Sequence, residues 1–148
     1  MINETRNLKK RIKKLRAKLV DLKIDALVIT NQSNVSYLSG FWGDDSWLIA
    51  TASSNTLITD SRYTLQAKQE CQLCKIYERK AGMAEALAGL FKKLPPKTIA
   101  VEDSVQLSVF RAIRKKLGSR LKTASNIVEA IREIKDETEI ERIRKAAV

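Results

Sequence analysis

Two short stretches hold the residue types best suited to chemistry. NVSYLSGFWGDDSWLIAT, residues 34–51, carries Tyr37, Phe41, Trp42 and Trp47 beside the adjacent carboxylates Asp44 and Asp45. TDSRY, residues 59–63, carries Asp60, Arg62 and Tyr63. A guanidinium fork grips a carboxylate through parallel N–H···O contacts, so Arg62 suits either a substrate carboxylate or Asp60 itself. The second option is a structural clamp that fastens the following helix to a strand end, and both readings stay open. Asp44 and Asp45 read as a solvated turn or as a site that binds a cation or orients an amine. Trp42, flanked by Phe41 and Gly43 in a loop, is an odd residue to bury.

The chain contains no histidine. That removes Ser-His-Asp and Cys-His arrangements, a histidine base and imidazole metal ligands. Neither a G-x-G-x-x-G fingerprint nor a Walker loop occurs, so nothing cradles a nucleotide phosphate. Cys71-Gln-Leu-Cys74 matches C-x-x-C, but a zinc site needs further ligands, and no other Cys or His exists. A thioredoxin-type pair opens a helix, whereas CQLCKIYE reads as the approach to a strand. Two small residues at a strand edge are the plainer reading.

Those residues need elements to position them. Leu8, Ile12, Leu15, Leu19 and Leu22 recur at helical spacing over residues 5–23. DALVIT (25–30) is a near-continuous apolar run, as in a strand covered on both faces. Residues 34–40 read as a short helix stopped by Gly40. WLIATA (47–52) and TLITD (56–60) flank SSN as a hairpin. A helix over 63–70, a strand over 73–77, a helix over 82–93, a Pro95-Pro96 break, the strand TIAVE (98–102) and a helix holding Leu107 to Leu117 complete the pattern. Alternating helices and strands predict α/β layers around one mixed sheet. In the tail, Asp136 and Glu139 form a capping box for a new helix that is barely begun at Val148, as in a chain cut from a longer one.

A length of 148 residues fits one domain with a real core. No apolar run is long enough to span a bilayer, and the N-terminus lacks a signal-peptide core, so a cytoplasmic protein with no membrane partner is expected. The net charge of +11 owes much to Lys9, Lys10, Arg11, Lys13, Lys14, Arg16 and Lys18 on the first helix. A stand-alone basic nucleic-acid-binding or interaction module is therefore the alternative class, but no aromatic or Gly-rich loop interleaves these cations, which disfavours nucleic acid.

The block RIKKLRAKLVDLKIDALVITNQSNVSYLSGFWGDDSWLIAT, followed by LITDSRYTLQAKQE, resembles the N-terminal domain of Xaa-Pro aminopeptidases and Xaa-Pro dipeptidases (prolidases), the creatinase-like family. IREIKDETEIERIRKAA resembles that family's junction with its catalytic domain. The resemblance implies a ribonuclease-H-like layered α/β fold, a mixed sheet with helices on both faces. It divides the chain into an N-terminal domain over 1–134 and, over 135–148, a linker and the first helix of a C-terminal pita-bread metallopeptidase domain. It places catalysis in that domain, on two divalent metal ions, usually manganese or cobalt, held by Asp, Asp, His, Glu and Glu. None of those ligands can be matched here, so no catalytic or metal-binding residue is expected in this chain, which should be inert alone. The implied roles are substrate gating and homodimerisation, with the chain's own catalytic domain as partner and short proline-containing peptides as substrates cleaved before proline. Tyr37, Phe41, Trp42, Asp60, Arg62 and Tyr63 are carried over as rim or subunit-interface candidates. The family commonly reads G-F-T-G and T-D-G-R-Y where Trp42 and Ser61 stand here, and Trp42 would narrow the substrate mouth.

Overall fold

The computed structural model describes residues 2–93 and 95–147. Met1, Leu94 and Val148 lie outside the described residues, so the expected 1–134 and 135–148 segments are seen only in part. In chain order the elements are α1 (Ile2–Asp21), β1 (Ala26–Ile29), α2 (Gln32–Ser39), β2 (Trp47–Thr51), β3 (Asn55–Thr59), α3 (Thr64–Glu70), β4 (Lys75–Glu78), α4 (Met83–Leu90), β5 (Ile99–Glu102), α5 (Leu107–Leu117), β6 (Leu121–Ala124), α6 (Ile127–Glu133) and α7 (Glu137–Ala146).

The strands form one six-stranded sheet in the order β4-β3-β2-β1-β5-β6. β1 runs parallel to β5, β5 to β6 and β3 to β4, while β2 is antiparallel to both its neighbours. The sheet is therefore mixed, as the alternation of elements predicts. Side chains on a strand alternate between faces, and β1 shows this directly. Leu27 and Ile29 join a core with Leu15 and Leu19 of α1, Val35 and Leu38 of α2, Ala67 of α3, and Ile127, Val128 and Ile131 of α6. Ala26 and Val28 turn to the opposite core, packed by Ala86 and Leu87 of α4 and Ile113 and Leu117 of α5. All four β1 residues are buried, which explains why the strand reads as an unbroken apolar run.

Several elements depart from the sequence reading: the helix read over 82–93 closes at Leu90, and the strand read over 73–77 runs from Lys75 to Glu78. α1 starts at Ile2 and ends at Asp21, so Leu22 leaves the helical stripe and is 56% exposed. Lys23 takes a left-handed φ of 55° in the turn that follows. β6 carries no strand signal because it is an edge strand with one buried residue, Leu121. The segment IREIKD (131–136) reads from sequence as a short helix or turn; the helix there, α6, instead covers Ile127–Glu133, leaving Ile134 exposed before the Asp136 cap.

Candidate functional site

The aromatic loop begins where α2 stops. Gly40 adopts φ 77° and its N–H bonds to Ser36 O at 2.9 Å, the left-handed cap that a residue without Cβ tolerates. Ser39 Oγ donates to Val35 O at 2.6 Å and accepts the Phe41 N–H at 3.0 Å, which turns the Phe41 ring inward. Phe41 is fully buried and meets Tyr63 edge-on, with ring centroids 6.1 Å apart. A Cβ on Gly43 would lie 2.2 Å from Phe41 Cζ, so the Phe41 ring packs directly over the Gly43 backbone. Gln32 Nε2 donates to Gly43 O at 2.5 Å. Trp42 faces the other way, 74% exposed, with its N–H held by Glu70 Oε2 at 2.8 Å.

Of the two adjacent aromatics carried over as rim or subunit-interface candidates, Phe41 is buried and Trp42 exposed. In this chain the Phe41 ring anchors the loop from beneath and presents no surface. Trp47, half buried, packs on the α4–α5 side of the sheet.

Asp60, Arg62 and Tyr63 come together at the end of β3. Asp60 Oδ1 accepts the Arg62 N–H and Nε at 2.9 and 3.0 Å, and Asp60 Oδ2 accepts Arg62 Nη2 at 2.7 Å. Two further residues complete the cluster: Asp45 Oδ2 accepts Arg62 Nη2 at 2.7 Å and Arg79 Nη2 at 3.0 Å. Arg79 Nη2 also reaches Asp60 Oδ2 at 3.3 Å. Two carboxylates and two guanidinium groups thus tie the aromatic loop, the β3–α3 turn and the exit of β4. The hydrogen bonds from Arg62 hold Asp60 down to about 2 against the opposing effect of desolvation, and Asp60 in turn raises Arg62. Arg62 lies 5.5 Å from the Tyr63 ring. Its Nε and Nη2 are already held by Asp60 and Asp45, so gripping a substrate carboxylate through that edge would require exchanging partners.

Tyr37 belongs to a different set of contacts. Arg11 stacks over its ring at 4.1 Å and Arg132 lies at 5.8 Å, while Arg11 Nη1 donates to Tyr37 O at 3.1 Å. Burial raises the Tyr37 phenol, and Arg11 opposes that rise. Arg11 Nε and Nη2 also grip Asp136 Oδ2 at 3.0 and 2.5 Å. Asp136 Oδ1 accepts the Glu139 N–H at 2.9 Å, and Glu139 Oε2 accepts the Asp136 N–H at 3.0 Å, forming the expected capping box. Burial pushes the Asp136 carboxyl up, but the Glu139 N–H and Arg11 outweigh it and hold the group below its ordinary 3.8.

Asp136→Ala removes both the cap and the Arg11 partner, with an expected loss of about 1–2 kcal/mol. A depressed carboxyl stabilises the fold above its unfolded pKa and loses that contribution as pH falls through its folded value. The wild-type advantage over Asp136→Ala should therefore be full at pH 7 and shrink in acid, read from urea midpoints at both pH values.

A buried network escaped the sequence reading. Glu102, 5% exposed at the end of β5, accepts the Thr30 and Asn31 N–H groups on Oε2 at 2.8 and 2.7 Å and Asn34 Nδ2 on Oε1 at 2.5 Å. Asn34 continues to Glu129 at 2.8 Å and receives Arg132 Nη1 on its carbonyl oxygen at 2.8 Å. An acid closing the apolar strand TIAVE was the available signal.

A groove of about 730 Å³ runs past Trp42, between the N-terminal half of α1, the turn after α3 and α7, with Leu8, Gly40, Glu70, Leu73 and Thr138 among its walls. Among the described residues, no group of three or more His, Cys, Asp or Glu side chains is placed to hold a metal ion. The donor set of the described residues therefore does not fit a two-metal centre.

Fold and site together define a layered α/β domain with a Trp-tipped loop and no cluster of metal-ligating side chains among its described residues. The chain belongs to the creatinase/prolidase N-terminal domain family, whose pattern matches residues 11–134. It is 28% identical over 139 residues to an uncharacterized peptidase, YqhT, of Bacillus subtilis, covering 93% of this chain and 39% of that protein. An Xaa-Pro dipeptidase from Bacillus anthracis superposes with a TM-score of 0.86 at 25% identity, over 91% of this chain and 38% of that one. An Xaa-Pro aminopeptidase structure from Streptococcus pyogenes superposes with a TM-score of 0.81 at 30% identity, over 86% of this chain and 98% of that one. The chain thus spans well under half of the two Bacillus relatives.

Proposed function

We propose that this chain is the non-catalytic N-terminal domain of a longer, metal-dependent Xaa-Pro peptidase, and that its Trp42 loop narrows the path of short proline-containing peptides to the catalytic domain. Residues 135–147 then lead into that domain, which supplies a set of metal-ligating side chains not found together among the described residues here. Pairing of subunits through this domain is part of the same reading. The observation that carries it is Trp42 itself. Large exposed aromatics are common anchors for binding, and this one is held outward by a buried neighbour, a left-handed glycine and a carboxylate on its own N–H. The Asp45–Asp60–Arg62–Arg79 cluster supports Asp60 and Arg62 as residues that hold the loop's surroundings in place, and the edge-on contact with Phe41 supports Tyr63 in the same role. No observation favours the basic nucleic-acid module.

The test uses the longer peptidase containing this chain. Trp42→Ala should change KM or peptide-length preference by about 1–2 kcal/mol, roughly 5- to 30-fold, with the melting temperature unmoved. The 148-residue chain alone, with manganese added, should hydrolyse no Xaa-Pro peptide. Turnover by the short chain, or a Trp42→Ala effect confined to melting, would refute the assignment.

A further inference from the structure

Cys71 and Cys74, given no role by the loop or the ion-pair cluster, are placed together by the fold. Cys71 is the C-cap residue of α3, with its N–H bonded to Ala67 O at 2.8 Å. Lys75, next after Cys74, opens β4 in register with Thr56. Gln72 and Leu73 form the turn between them. Such a turn brings its first and fourth Cα atoms within about 7 Å, and disulfides bridge Cα separations of about 4.4–6.8 Å. Both side chains pack on the same core cluster, Cys71 buried and Cys74 half buried, and both are free thiols. A helix end and a strand start fix the two ends of the turn, so the pair is preset rather than met by chance.

We propose that Cys71 and Cys74 form a reversible dithiol–disulfide couple, closed by a hydroperoxide and reopened by small thiols. In the first step one thiolate attacks the peroxide, the O–O bond breaks, and a sulfenic acid and water or an alcohol are formed. The second cysteine then attacks the sulfenic sulfur, the S–S bond forms, and the hydroxide lost takes up the thiol proton as water. With hydrogen peroxide the sum is two thiols plus peroxide giving a disulfide plus two waters. Reopening oxidises two small thiols to their own disulfide.

The surroundings favour Cys71 as the sulfur oxidised first. Cys74 beside it lowers the Cys71 thiol and burial opposes that, whereas its neighbour and burial both push Cys74 up. The turn is also one wall of the groove beside Trp42: Gln72 and Leu73 line it together with Gly40 and Glu70, and Glu70 holds the Trp42 N–H. Closing the bridge fixes that wall.

The test treats the 148-residue chain with modest hydrogen peroxide, stops the reaction with catalase, denatures, alkylates with N-ethylmaleimide and weighs the product. The untreated chain should carry two maleimides. The treated chain should carry none, weigh two hydrogens less, remain a monomer, and regain both labels after dithiothreitol. In Cys74→Ser, dimedone should trap a sulfenic acid at Cys71. Full alkylation after peroxide, a sulfinic acid on either cysteine of the unaltered chain, a bridge between two chains, or no dimedone adduct at Cys71 would overturn the proposal.

Discussion

Phe41→Ala is expected to lower stability by about 3–5 kcal/mol, the range for emptying a buried aromatic site. The ring is fully buried, meets Tyr63 edge-on and covers the Gly43 backbone, so its removal leaves a cavity walled by residues that cannot close in. Gly40 and Gly43 offer no side chain to fill it, and Ser39 is committed to Val35 O and the Phe41 N–H. Phe41→Leu retains much of the volume and should cost under about 1.5 kcal/mol. Trp42→Ala, one residue away, should stay within about 0.5 kcal/mol of wild type, as for a surface site. Urea midpoints of the three variants decide the matter. A Trp42 effect as large as that of Phe41 would mean that the loop packs with its faces reversed.

The second large effect is expected at Glu102. Glu102→Ala removes the acceptor of the partly buried Thr30 and Asn31 N–H groups and one of the two acceptors of the Asn34 amide, which keeps Glu129. An orphaned buried polar group costs about 1–3 kcal/mol, and with its partners only partly cut off from water a total loss of about 1–3 kcal/mol is expected. The pH dependence runs opposite to that of Asp136. Burial raises the Glu102 carboxyl above its ordinary 4.5, and the hydrogen bonds from Asn31, Asn34 and Thr30 only partly offset it. Between the ordinary value and the raised one, the native state binds more proton than the unfolded chain, so stability declines as pH rises through that window. Below 4.5 both states are protonated and the contribution is level. The isosteric Glu102→Gln variant lacks this decline, so the wild type's advantage over it should be larger at pH 4 than at pH 7. A gap that widened toward neutral pH would show that the carboxylate is stabilised rather than penalised where it sits.

What could be read from the sequence follows the range of each interaction. The Asp136–Glu139 capping box, the Gly40 stop and the Asp60–Arg62 pairing span two to four residues, and local spacing reveals them. β1 was legible because coverage on both faces leaves an unbroken apolar run. β6 was not, since an edge strand with Lys122 and Thr123 exposed carries no periodic signal. Arg79 joins Asp45 across 34 positions and Glu102 joins Asn34 across 68, distances over which spacing says nothing. The two adjacent loop aromatics illustrate the same limit. Their types match a rim equally well, and only the turn imposed by Gly40 and Ser39 sends Phe41 inward and Trp42 outward.

The order of the strands carries a consequence for colony formation among like molecules. β4 and β6 are the two margins of the sheet, and each places a lysine, Lys75 or Lys122, outward on a short four-residue strand. Extending the sheet into a second copy would bring ammonium groups together across the seam, a deterrent to fibril growth and to strand exchange. Crowding this domain should accordingly not drive sheet-to-sheet growth, and the proposed pairing of subunits would use its helical and loop surfaces rather than its margins.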